Sequence, residues 1–205
     1  MKEVQKLAKF TSSRSFNDLS KKAIRELKIR LLDSIGCAIG ALEGPPIRRI
    51  KNQTLDFGGN PHSTLLAGNK TAPDRAAFYN SSLVRYLDFN DSYLAKGETC
   101  HPSDNIGSIL AAGEYNDIDG ETFLTALAIA YQVQCRLSDL APVRHKGFDH
   151  TVQGAYASAA GTAYALGLDQ EKTANAIAIA ATAYNALRVT RTGNLSNWKG
   201  LAFPS

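Results

Sequence analysis

Glu121 to Leu140 reads ETFLTALAIAYQVQCRLSDL. Phe123, Leu127, Ala130, Tyr131 and Val133 supply an apolar side at helical spacing, and Asp117–Gly120 before it is a turn. The stretch predicts a long amphipathic helix. Toward the N-terminus the chain predicts a helix over Ser103–Glu114. Toward the C-terminus it predicts two Ala-rich helices, His150–Leu166 and Glu171–Leu187, divided at Gly167. In the first of these Gly154, Ser158, Gly161 and Ala165 recur at steps of four, three and four, a small-residue face that lets another helix approach closely.

The first half of the chain follows the same logic. Ile24, Leu27, Leu31, Ile35 and Ala38 mark an amphipathic helix from Asp18 to Ala41, with Ser15 and Asp18 as a capping box. Gly44-Pro45-Pro46 breaks it, and Pro46 suits the first turn of a second helix. That helix carries Ile47, Ile50 and Leu55 and stops at Gly58-Gly59. Ser63–Gly68 is a short extended piece. From Pro73 a further helix carries Ala77, Ser81, Val84 and Leu87. Periodicity then fails from Asp88 to Pro102. No repeat of 20–50 residues is present. Helix dominates, so the fold class predicted is all-α.

Composition bounds the function. With 44% hydrophobic and 20% charged residues over 205 positions, the chain is an ordinary globular domain and not a disordered one. No window approaches the ~18 apolar residues of a membrane span. The start, MKEVQKLAKFTSSRSF, lacks the apolar core of a secretory signal, so a cytoplasmic protein is expected. The net charge of +4 is spread along the chain. Its densest cluster, Lys21, Lys22, Arg25, Lys28 and Arg30, scatters around a solvated helix face, so neither nucleic acid nor membrane is expected as a partner. A mild positive excess suits a small anionic substrate. Cys37, Cys100 and Cys135 give neither a disulfide framework nor a zinc knuckle and read as reduced thiols.

Candidate chemistry lies where the periodicity fails. Leu87-Asp88-Phe89-Asn90-Asp91-Ser92-Tyr93 is followed eight residues later by His101-Pro102-Ser103-Asp104. Asp88 falls at the end of a helix, where the negative pole disfavours a carboxylate unless a cation sits opposite or a poised acid is wanted. The plain alternative is that Asp88 and Asp91 only shape a loop. His101 is biased to an extended conformation by Pro102. A second cluster, Arg144-His145-Lys146-Gly147-Phe148-Asp149-His150, puts His150 at a helix start, with Asp149 as a possible cap. A third, Thr190-Arg191-Thr192-Gly193-Asn194-Leu195-Ser196-Asn197-Trp198-Lys199, could fold over an anion with Arg191 and Lys199 as charge partners. No histidine pair has helical zinc spacing, and no metal is expected. Cys100 adjoins His101, but neighbours in sequence point apart, which disfavours a thiol nucleophile.

Four stretches in this order, LLDSIGCAIGAL, YLDFNDSY…HPSD, KGFDHTVQGAYASAAG and RTGNLSNWKGLAF, resemble the MmgE/PrpD family, which includes 2-methylcitrate dehydratases and cis-aconitate decarboxylases. The resemblance covers residue 5 to the end and implies one domain over 1–205, the N-terminal portion of a helical domain. It further implies that an α+β lid, which would bring another histidine, and the closing helices lie outside this chain. By resemblance the enzyme is a homodimer that needs no cofactor, and Asp88, His101, His150 and Lys199 match its catalytic positions. Ser92 matches a hydroxyl residue that contacts substrate. The implied activity is that of a lyase on a small di- or tricarboxylic acid, foremost 2-methylcitrate dehydration in propionate breakdown.

The residues agree with that chemistry. Removing a proton next to a carboxylate builds enolate-like charge, which Lys199 and Arg191, and also Arg144, are suited to neutralise. His101 or His150 can carry the proton near neutral pH. Which group is the acid and which the base stays open, as does a decarboxylase or isomerase in place of a dehydratase. The rival outside enzymology is a helical interaction module or an inactive fragment.

Overall fold

In a computed structural model residues 2–191 and 199–204 are described, with side chains for 2–189 and 200–204. Among them are eight α-helices: α1 (Glu3–Ser12), α2 (Lys21–Ala41), α3 (Pro45–Phe57), α4 (Pro73–Tyr86), α5 (Ile106–Tyr115), α6 (Gly120–Leu140), α7 (Thr151–Ala165) and α8 (Gln170–Ala183). The only sheets among the described residues are two small antiparallel pairs, β1 (Ser63–Thr64) with β2 (Lys70–Thr71), and β3 (Tyr93–Ala95) with β4 (Glu98–Cys100). The all-α reading holds.

Capping residues explain several starts. The Ser20 hydroxyl accepts from the Ala23 amide at 3.1 Å and opens α2. Asp119 does the same for α6 through Thr122 at 2.8 Å, and Asp169 for α8 through Lys172 at 2.8 Å. The Ser15–Asp18 capping box exists, but it closes a separate 3-10 turn over Phe16–Asp18, so α2 begins three residues later than expected. α1 is additional to the helices predicted. α8 ends at Ala183, short of Leu187.

Two apolar clusters make the core. One joins α5, α6, α7 and α8 through Ile109, Leu127, Ile129, Ala157, Ala160 and Ile177. The other joins α2, α3 and α4 through Ala38, Ile47, Ile50, Leu83 and Val84. The small-residue face of α7 does what its spacing implies. A Cβ on Gly161 would stand 2.8 Å from Ile109 Cδ1 and 3.1 Å from both the Ala126 carbonyl and Ala130 Cβ, so α7 rests directly on α5 and α6. Ser158 meets Ser108 of α5 at 2.9 Å. Not every apolar position turns inward. Ile35 and Leu55, expected to face the core, are exposed, because Ser34 with Cys37 and Thr54 take the inward positions beside them.

Candidate active site

The irregular stretch after α4 is a built structure. It contains the β3–β4 hairpin, turned at Lys96-Gly97 with Gly97 at φ +86°, and then a 3-10 turn over Pro102–Asn105 leading into α5. Glu98 ties the hairpin down. Its buried carboxylate accepts from the amides of Val143 and Arg144 at 3.1 and 3.0 Å and pairs with the Arg144 guanidinium at 3.3 Å. Arg144 is thereby engaged structurally.

Asp91 is the hub of the loop. Its Oδ1 accepts from the Ser103 amide at 3.0 Å, its Oδ2 accepts from the Tyr131 hydroxyl at 2.7 Å, and its carbonyl lies 2.8 Å from His101 Nδ1. Burial, and then the Asp91 carboxylate, hold the Tyr131 phenol protonated far above its usual range. Asp91 is thus the loop-shaping carboxylate of the pair.

Asp88 is different. It sits just past the end of α4 at φ +59°, a left-handed conformation that costs a non-glycine residue about 1–2 kcal/mol. Its side chain is 56% exposed, and it is ion-paired with Arg85, which is only 4% exposed. The cation that a carboxylate at a helix C-terminus calls for is therefore present one turn back. Arg85 continues inward to Asp104, with Nε 3.6 Å from Oδ2 of that fully buried carboxylate, and donates to the Asn90 side-chain oxygen at 3.3 Å. Asn90 closes the network by donating to Asp104 at 2.8 Å and to Ser103 at 2.9 Å.

His101 and His150 come together from opposite sides of a 49-residue gap. Their rings stand edge to face with centroids 5.4 Å apart. A carbonyl can only accept, so His101 Nδ1 carries the hydrogen it shares with Asp91, and the neutral ring keeps its lone pair on Nε2. Ser92 Oγ lies 3.2 Å from the same Nδ1, where it can only accept, and so its own hydrogen is available elsewhere. Burial, and then the Arg85 charge, push the His101 pKa below its ordinary value, against the pull of Asp91 and Asp88. His101 is thus a neutral imidazole near pH 7, as a general base must be. His150 immediately precedes α7 and is buried, with Nδ1 3.2 Å from Asp149 Oδ1. Asp149 also accepts from the Thr151 amide at 3.2 Å and pairs with Arg188 at 3.4 Å, so it both caps α7 and orients His150.

Asp88, Ser92, His101 and His150 are therefore in one neighbourhood. The side chains of Arg191 and Lys199 lie outside the described residues; Arg191 ends one 3-10 turn and Lys199 begins another. Asp149 caps α7 as its place in the sequence suggests, whereas Arg85 and the pairing of Asp104 with Arg85 and of Asp149 with His150 are additions to the motif reading. Arg85 looks like part of the polar face of α4, and only its partners three and nineteen residues on reveal its burial. Cys100 is fully buried, and the neighbouring Cys135 thiol draws its pKa below the ordinary value against the effect of burial. Among the described residues no group of three or more His, Cys, Asp or Glu is arranged to hold a metal ion. None of the described helices is long and apolar enough to cross a membrane.

The family model described as MmgE/PrpD N-terminal domain matches residues 5–205. The 2-methylcitrate dehydratase of Escherichia coli (strain K12) is 32% identical over 184 residues, which is 82% of this chain and 38% of that protein. The mitochondrial 2-methylcitrate dehydratase of Yarrowia lipolytica is 31% identical over 182 residues, 82% of this chain and 35% of its own length. The alkylcitrate dehydratase of Fungal sp. (strain ATCC 74256) is 32% identical over 209 residues, 94% of this chain and 41% of its own length. The chain therefore spans well under half the length of these relatives.

Proposed function

The chain belongs to the MmgE/PrpD family, and on that premise we propose that it forms the helical part of a lyase that eliminates water from a small tricarboxylic acid of the 2-methylcitrate type. The observation that carries this reading is the pair of imidazoles, one neutral with its Nε2 lone pair free of the Asp91 bond, the other backed by a buried carboxylate. Dehydration needs a base at carbon and an acid at the departing hydroxyl. His101 Nε2 takes the proton next to a substrate carboxylate. His150, with Asp149 against its other nitrogen to steady the imidazolium, delivers a proton to the hydroxyl. One C–H and one C–O bond break, a C=C bond forms, and water leaves.

Ser92 presents its hydrogen to a substrate oxygen, and Asp88 orients the substrate's hydroxyl or the working imidazole. Lys199 and Arg191 neutralise substrate carboxylates and the enolate-like charge that develops. By family pattern we also assign the enzyme to the cytoplasm, as a homodimer in propionate breakdown without a cofactor.

Calorimetric titration of the chain with 2-methylcitrate, beside propionate as a monoacid control, tests the substrate class. Turnover is followed by the ultraviolet absorbance of the new double bond. Saturable binding of the tricarboxylate alone, weakened in Lys199→Ala, is expected. Equal responses to both acids would refute the reading.

A further inference from the structure

The guanidinium of Arg85 is almost completely buried at the end of α4, yet its partners span the site from inside to outside. Asp104, with no exposed surface, is on its inner side, Asn90 is beside it, and the solvent-facing Asp88 is on its outer side. A buried cation is tolerated only when paired on this scale, and a planar guanidinium can face two carboxylates at once, here hydrogen-bonded to Asp88 and within ion-pair range of Asp104. Asp88 meanwhile holds a left-handed backbone that few residues other than glycine adopt, at a place where its charge acts on the His101 ring. We infer that Arg85 is the positioning residue of this site: anchored on Asp104, it fixes the Asp88 carboxylate in its turn and keeps a cation behind His101. This inference rests on the reading of the site as a proton-transferring centre.

Its consequence is electrostatic. The charged and titratable groups around His101 are Arg85 and Asp88 from the end of α4, Asp91 in the loop, Asp104 beyond Arg85, and Tyr131 from α6. From the start of α7 come His150 and Asp149, the latter with Arg188 behind it. Two of these carboxylates, Asp88 and Asp91, draw a proton onto the ring, and Arg85 opposes them. Without the guanidinium the imidazole would charge at higher pH and be lost as a base. A residue that served the core alone would have no such effect.

The test is the pH titration of the His101 imidazole resonances in the 205-residue chain without ligand, so its outcome is independent of whether 2-methylcitrate is the substrate. In Arg85→Gln/Asp104→Asn both buried charges are removed together. Loss of Asp104 can only lower the His101 midpoint, so the rise we expect belongs to Arg85. Asp88→Asn should lower the midpoint in the wild-type background, and lower it much less beside Arg85→Lys, which keeps the charge and loses the fork. A midpoint in the neutral pair no higher than in Asp104→Asn alone would overturn the inference. So would an Asp88→Asn effect of equal size in the wild-type and Arg85→Lys backgrounds. Should the neutral pair fail to fold, the Arg85→Lys comparison decides alone. Loss of the fold in both would assign Arg85 to the core and overturn the inference as well.

Discussion

The loop segment 88–105 and the helix α7 meet where His101 faces His150, yet they are built by opposite means. α7 reaches its position by removing side chains: Gly161 and its small neighbours let it rest on α5 and α6, and apolar contact holds it. The 88–105 segment reaches its position by adding polar groups: Asp91, Asn90, Asp104 and Arg85 form a buried net of hydrogen bonds and ion pairs with a left-handed turn at Asp88. The first kind of construction supplies stability. The second fixes charges at defined places, and proton transfer needs that.

The difference can be broken from either side. The largest effect is expected at the ring. His101→Ala should lose on the order of 10²–10⁴-fold in kcat while its melting temperature changes little. Steady-state kinetics of the enzyme carrying this domain measures the first and calorimetry the second. A loss of tenfold or less would make His101 a packing residue.

Gly161→Val should do the reverse. A Cβ there already presses on Ile109 and Ala130, so the branched side chain should cost roughly 2–3 kcal/mol in urea unfolding. The His101 resonances of the folded fraction should stay where they are. Tyr131→Phe lies between the two. It strips one hydrogen bond from Asp91, at a cost of about 1 kcal/mol, and should loosen the loop enough to shift the His101 signals.

The smallest effect is in the pH dependence of stability. His101 titrates below its ordinary value of 6.5 in the folded protein. As pH falls through that value the unfolded chain takes up a proton that the folded one refuses, so stability declines toward lower pH until the folded ring also protonates. In His101→Gln the fall below pH 6.5 should be shallower than in the wild type. Parallel curves would deny the shift.

The same contrast explains what the sequence made legible. The helices that bury one face, such as α4 and α6, announce themselves by period and caps, as Asp119 shows. α1 buries Ala8 and Thr11 and packs Val4, Leu7 and Phe10 against the core, but at ten residues it carries too few repeats of that pattern to stand out. The β3–β4 hairpin escaped because strands of three residues carry almost no period. Among site residues, Asp88, Ser92, His101 and His150 were found through motif resemblance. Arg85, Asp104 and Asp149 act through partners that are distant in sequence or buried, which no local pattern encodes. The pairing of His101 with His150 depends on how α7 packs, and only the fold supplies it.

The central claim is that the 88–105 segment offers a neutral imidazole, with Nε2 free of the Asp91 bond, to a polycarboxylate. Nitrogen NMR of His101 at pH 7, before and after addition of 2-methylcitrate, tests it most directly. The account predicts a protonated Nδ1, a bare Nε2, and a saturable change at Nε2 with ligand. A ring protonated at both nitrogens at pH 7, or one indifferent to the ligand, would contradict it.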